Sequence, residues 1–175
     1  EHQPLKTAAI EGWWETRADQ PLDLVGIPDR DAAENRYGVA IPGIGNWVQG
    51  GPRGEVLSGL DGYPREDWPV VWLVFWSFRI MVGLGLAMVG LGIWGLWLWA
   101  RGRIETTRLF LRAAVLMGPS GFGAVIAGWV VAEAGRQPYV IYGVLRTADA
   151  VSPVGAGQVS ASLIAFLIVY AIVFS

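Results

Sequence analysis

The sequence contains no cysteine and a single histidine, His2. The first absence removes disulfides, thiolate metal sites, iron–sulfur ligation and a cysteine nucleophile. The second removes any multi-histidine metal site built from this chain alone. Charge is also scarce: 16% of the 175 residues are charged against 53% hydrophobic, and the formal charge is −2. With no basic tail or stripe, nothing favours a nucleic-acid partner. What is abundant is tryptophan, ten residues in all, together with long uncharged runs. A soluble domain of this length would carry more charge and less tryptophan.

Charge and hydropathy split the chain in two. Residues 1–67 hold six basic and twelve acidic side chains, a local charge of −6. From Val70 to Ala100 the only charge is Arg79, and Ile80 to Ala100 has none. A bilayer core takes about 20 apolar residues in helical form, so this stretch predicts a spanning helix. A second uncharged run covers Ala113 to Ala132, closed by Glu133 and then by Pro138, which cannot continue a helix. A third runs from Ala150 to Ser175, with its helical part expected from near Ser160. The fold class is therefore an all-α membrane protein: three transmembrane helices preceded by an irregular outward loop with one short helix. That run ending with the chain, and an opening without Met, read as a fragment of a larger protein.

The link between the first two spans carries Arg101, Arg103, Arg108 and Arg112 against Glu105 alone. Positive links stay in the cytoplasm, which turns the acidic front segment and the second loop outward. The expected organisation is an outward loop over 1–67, spans over 68–100, 109–135 and 159–175, a cytoplasmic link over 101–108 and an outward loop over 136–158. In a Gram-negative host the outward side is the periplasm, and the chain is multi-pass in the inner membrane. Trp68, Trp72 and Trp76 mark one end of the first span and Trp94, Trp97 and Trp99 the other, as an aromatic belt does. The front segment is dense in turn signals, such as Gly26-Ile27-Pro28-Asp29 and Ile41-Pro42-Gly43, and only Leu5 to Thr16 reads as helical.

Polar groups inside apolar runs carry the functional information. Arg79 needs a partner or a cavity: it either snorkels to the outer interface or serves a buried anion such as a haem propionate. Met81 lies roughly 200° around the same helix, Met88 deeper on nearly Met81's face; residue chemistry does not choose between them or Met117. Glu133 ends its run at a helix C-terminus, where the macrodipole disfavours an anion. It either pairs with Arg136, three residues on, or acts as an axial carboxylate on iron with Arg136 serving a neighbouring anion. Trp129, one turn earlier, shares its face and can pack on a flat cofactor. Pro119 with Gly118, Gly121 and Gly123 lets the second span kink or approach a neighbour closely. In the front segment, Lys6 and Glu11 either belong to an ordinary solvated loop or form a polar clamp for a lipophilic substrate, with Trp13 and Trp14 anchoring at the membrane interface.

Three segments, taken together, resemble the haem-bearing subunit I of the cytochrome bd family of quinol oxidases. They are Gln3-Pro4-Leu5-Lys6-Thr7-Ala8-Ala9-Ile10-Glu11-Gly12, Phe75-Trp76-Ser77-Phe78-Arg79-Ile80-Met81-Val82-Gly83, and Gly128-Trp129-Val130-Val131-Ala132-Glu133-Ala134-Gly135-Arg136-Gln137-Pro138-Tyr139. The resemblance spans nearly the whole chain but only the carboxy-terminal part of the family subunit. It implies that Lys6 and Glu11 bind quinol, that Met81 ligates the low-spin haem b iron beside Arg79, and that Glu133 ligates the high-spin haem b iron with Trp129 and Arg136 as neighbours. It further implies electron transfer to haem d (or to a haem b in its place), where O2 is reduced to water. The histidine ligands belong to upstream helices, and His2 matches none of them. Tyr139 stands where the motif often has tryptophan. The short stretch from Trp14 to Trp68 resembles the short-loop branch, which includes the cyanide-insensitive oxidases. Implied partners are the upstream helices of the same subunit, a second large membrane subunit, small accessory subunits and lipid, with quinol and O2 as substrates. Two other readings stand beside this one: a non-catalytic membrane anchor or assembly subunit, and a transporter segment whose charges line a proton path.

Overall fold

The computed structural model describes residues 3–52, 54–151 and 153–174. His2, expected as a plain loop residue, lies outside the described residues. The chain forms two compact units, residues 1–138 and 139–175.

The first unit opens with α1 (Pro4–Glu11). Proline at its start costs no hydrogen bond, since the first turn's N–H groups lack intrahelical partners anyway. Gly12 stops the helix in the left-handed conformation at φ 76°, its N–H donating to the Ala8 carbonyl at 2.8 Å. The helix expected over Leu5 to Thr16 therefore ends one turn early. At Gly12 a Cβ would lie 2.9 Å from the Phe75 ring and 2.7 Å from Asn35 Nδ2, so close packing as well as φ demands glycine.

The rest of the front segment is more regular than expected. Strands β1 (Arg17–Ala18) and β4 (Val56–Leu57) pair, and β2 (Leu22–Asp29) forms an antiparallel hairpin with β3 (Glu34–Ile41). Gly26 and Pro28, which read as turn residues, lie inside β2. A two-stranded ribbon has only edge strands, so a proline N–H missing from the ladder is tolerated there. The turn itself sits further on, where Asp29 Oδ1 accepts from the N–H groups of Asp31 (2.9 Å) and Ala32 (3.1 Å). A short helix α2 (Gly45–Val48) follows. Its Asn46 is fully buried, accepting from the Gln20 N–H at 2.9 Å and donating to the Glu55 carbonyl at 2.7 Å.

Tryptophan forms the core of this segment. Trp13 and Trp14 are buried, and their indole N–H groups donate to the Pro21 carbonyl (2.8 Å) and to Asn35 Oδ1 (2.9 Å). Trp68 packs edge-on to Trp14 and donates to the Leu60 carbonyl. Trp13 and Trp14 are thus internal, correcting their expected role as interface anchors. A buried indole needs an acceptor for its N–H, and the loop supplies carbonyls and an amide that a membrane interface would have left to water.

The helix α3 (Val71–Ala100) has 30 residues, roughly 45 Å of helix and more than a hydrocarbon core needs. The surplus lies at its start, where Val71, Val74, Phe75 and Ser77 are buried against the front segment. The second apolar stretch is α4 (Arg108–Met117) followed by α5 (Ser120–Ala134). Pro119 separates them because its ring displaces the carbonyl one turn back and its nitrogen cannot donate. α3 packs on α5 through glycine: a Cβ at Gly128 would stand 2.9 Å from Met81 Sδ, and one at Gly123 would stand 3.4 Å from Leu84. Phe110 of α4 sits under Gly95 and edge-on to Trp94.

The second unit holds a small hairpin, β5 (Tyr139–Ile141) with β6 (Leu145–Arg146), and α6 (Ala156–Val173). α6 starts one turn earlier than the expected Ser160. Three helical stretches, Val71–Ala100, Arg108–Ala134 and Ala156–Val173, are long and apolar enough to cross a membrane.

Candidate functional site: an arginine hub between loop and span

Arg79 was the anomalous charge of the first span, and the structure gives it partners. Nε donates to the Leu24 carbonyl (3.0 Å), and Nη1 donates to those of Ile10 (2.8 Å) and Phe75 (3.0 Å). Nη2 donates to the Asp23 carbonyl and, over 3.5 Å, to that of Glu11. The guanidinium also lies 3.2 Å from the Phe75 ring centroid, a cation–π contact. All five N–H donors of the guanidinium are therefore engaged, tying the end of α1 and strand β2 to the first turns of α3. The cation is stabilised under the front segment by these backbone carbonyls. In this arrangement it has no spare donor for an external anion.

Two carboxylates flank the hub. Glu11 is 3% exposed; its Oε1 accepts from Gln49 Nε2 at 3.2 Å, and its Oε2 has no partner. Burial pushes its carboxyl above the ordinary range, opposed by the Arg79 charge and the Gln49 hydrogen bond and reinforced by the nearby Asp23. Asp23 behaves similarly: burial raises it, and Arg79, a hydrogen bond with Asn35 and Arg17 counter the rise. Sequence reasoning passed over Asp23 and Gln49. The one signal for Asp23 was an acid set into the apolar run Leu22-Asp23-Leu24-Val25.

Lys6 does not converge with Glu11. Its Cγ and Cε lie 3.0 and 3.3 Å from where a Cβ would stand on Gly135, so its stem crosses the end of α5. The two expected clamp residues thus sit on different sides of α1, as a five-residue spacing dictates. Lys6 instead joins the neighbourhood of Arg136, whose Nε is buried and without a partner. Among the described residues no ion pair links Arg136 to Glu133, so the simple pairing of these two is not formed. Glu133 is exposed on α5, as is Trp129 one turn before it.

A haem would need an axial ligand with room beside it and a partner for its carboxylates. Met81 places a soft thioether against Gly128 at the interface of α3 and α5. Glu133 follows Gly128 by five residues, roughly 140° around α5, so the two candidate ligands lie on different sides of the helix pair. Trp129 offers a flat apolar surface beside Glu133, and the orphaned Arg136 Nε offers a donor for an anionic group. These residues fit haem groups, whereas Arg79 fits the loop's carbonyls.

Known proteins are similar to this chain in sequence and in fold. The family model for cytochrome bd terminal oxidase subunit I matches residues 1–175. Subunit 1 of the cytochrome bd ubiquinol oxidase of Bacillus subtilis is 34% identical over 184 residues, covering 98% of this chain and 39% of the relative. Subunit 1 of the Escherichia coli cytochrome bd-II ubiquinol oxidase is 30% identical over 234 residues, covering 96% of this chain and 46% of the relative. The solved structure of bd oxidase from Geobacillus thermodenitrificans matches with a TM-score of 0.76 and 30% identity, over 98% of this chain and 39% of that one. The chain belongs to the cytochrome bd oxidase subunit I family, a family of multi-pass membrane oxidoreductases. It spans about two-fifths of the length of these relatives.

Proposed function

We propose that this chain supplies the quinol-oxidising loop and three spans of a respiratory quinol:oxygen oxidoreductase in the bacterial inner membrane. The observation that carries the reading is Glu11: a carboxyl with one unpartnered oxygen, enclosed in a loop that is fastened to a candidate haem-bearing helix. A buried carboxyl of raised affinity for protons is suited to take the hydroxyl proton of a quinol as electrons leave. Lys6, on the other side of α1, offers a second quinol-binding group, a cation where the loop meets α5. Segment 1–67 faces outward in this reading, so the protons are released outside. The remaining boundaries keep the expected order: spans over 68–100, 109–135 and 159–175, a cytoplasmic link over 101–108 and an outward loop over 136–158.

When bound, haems accept electrons singly and deliver them to O2, which is reduced to water. The chain's own task is to hold them: Met81 as ligand to the low-spin haem b iron, Glu133 to the high-spin one, Trp129 as apolar wall and Arg136 as partner of an anionic edge. Arg79 keeps the loop seated on the same helix that carries Met81, which fixes the quinol site relative to its electron acceptor. The upstream helices of the subunit and a second large subunit complete the haem environments. The test is a reduced-minus-oxidised spectrum of the full-length complex. Met81→Leu is expected to abolish low-spin b-haem absorption and Glu133→Ala to alter the high-spin signal; unchanged spectra would instead favour a non-catalytic anchor.

A further inference from the structure

Asp23 belongs to none of the segments that match the family's functional residues, yet it shares the hub with Glu11. Its carbonyl and that of Glu11 meet on the same nitrogen, Arg79 Nη2. The residue is 9% exposed and its carboxyl lies beside Asn35, which donates to the Gly12 carbonyl at 3.0 Å and accepts from the Trp14 indole at 2.9 Å. Asp23 also lines a cleft of about 630 Å3 that opens between the hairpin and the two tryptophans. Glu11 does not line it. A proton taken up by Glu11 is therefore enclosed, while the next carboxyl around Arg79 borders solvent.

The geometry points to Asp23 as the second proton acceptor of quinol oxidation, passing protons from Glu11 into the cleft. This rests on the quinol reading above. The balance is simple. A quinol O–H bond breaks as an electron leaves toward the haem; the proton goes to a Glu11 oxygen, passes around the Arg79 hub to an Asp23 oxygen and is released to bulk water. Each carboxylate then regains its starting charge. The charged groups around Asp23 are Arg79 from α3, Glu11 from α1 and Arg17 at β1, with Glu15, Asp19 and Glu34 on the cleft wall. That both carboxyls are raised by burial lets them hold a proton in transit.

The test uses the full-length oxidase complex carrying Asp23→Asn. Quinol-driven kcat is expected to fall by about tenfold with KM little changed, because the variant lacks a proton acceptor and not a binding group. The acid-side decline of kcat, which follows Asp23 filling with protons, should flatten, and Asp23→Glu should retain the rate. Added imidazole, small enough to enter the cleft, should restore much of the lost rate, an effect that mere loop support would not show. A wild-type kcat and pH profile in Asp23→Asn would overturn the proposal. So would a loss that imidazole and Asp23→Glu both fail to rescue, or one that comes with loss of haem absorption. Glu11→Gln separates the two levels: if it leaves quinol oxidation intact, the quinol reading falls, whereas an impaired Glu11→Gln beside a normal Asp23→Asn removes the relay alone.

Discussion

Arg79 Nη1 donates to the carbonyl of Ile10 at 2.8 Å, joining a helix that is apolar over most of its length to the last turn of the short helix in front of it. The two residues are 69 positions apart. This contact and its four companions turn the lone charge of the first apolar helix into a fastening for the front segment. A hydrogen bond from a charged donor contributes about 1.5–3 kcal/mol, so the cluster outweighs any single packing contact in the loop.

Removing that fastening should loosen the loop before it disturbs the spans. Arg79→Gln is expected to raise amide hydrogen exchange at residues 10–12 and 23–25 by at least about tenfold, and to raise KM for quinol. Exchange mass spectrometry on the full-length complex reads the first effect. Arg79→Lys should recover little, since an ammonium cannot span carbonyls set out for a planar fork.

Asn46 predicts a second route to the same loosening. Asn46→Leu leaves the Gln20 N–H and the Glu55 carbonyl unpaired inside the loop, a cost of roughly 2–4 kcal/mol. Limited proteolysis between residues 42 and 58 should accelerate, while haem absorption of the complex stays as in the wild type.

Gly128 should be intolerant of branching. Gly128→Val would put a Cβ 2.9 Å from Met81 Sδ and push the thioether off its seat. A shifted or diminished low-spin b-haem band is the expected readout.

The pH dependence of the loop follows from Glu11. Its folded carboxyl holds its proton more tightly than the unfolded chain does, so the folded state binds more protons. The stability this confers is full below the ordinary carboxylate range and is lost as pH rises through the raised value. Loop protection against protease should therefore decline as pH rises above the ordinary carboxylate range, and Glu11→Gln should weaken that decline, leaving the part due to Asp23.

The spans and the family were legible in the sequence because their signals are long: uncharged runs, an arginine-rich link and three motif strings. The front segment was not. Its strands β2 and β3 contain Gly26, Pro28 and Gly38, residues that signal turns locally yet sit at edge positions of a two-stranded ribbon. Arg79 announced that it needed a partner, but the partners are backbone carbonyls, which no residue pattern encodes. Trp13 and Trp14 looked like interface anchors because burial within a small loop is a tertiary property. Asp23 gained meaning only when Asn35, Arg79 and the cleft were seen around it.

The central claim is that the front segment oxidises quinol for the haem-bearing helices. Its most direct test is oxygen consumption by the full-length complex with Glu11→Gln or Lys6→Ala, driven first by quinol and then by an artificial donor that bypasses the loop. The account predicts a fall of about tenfold or more with quinol and near-normal rates with the artificial donor. Normal quinol-driven rates, or equal losses with both donors, would contradict it.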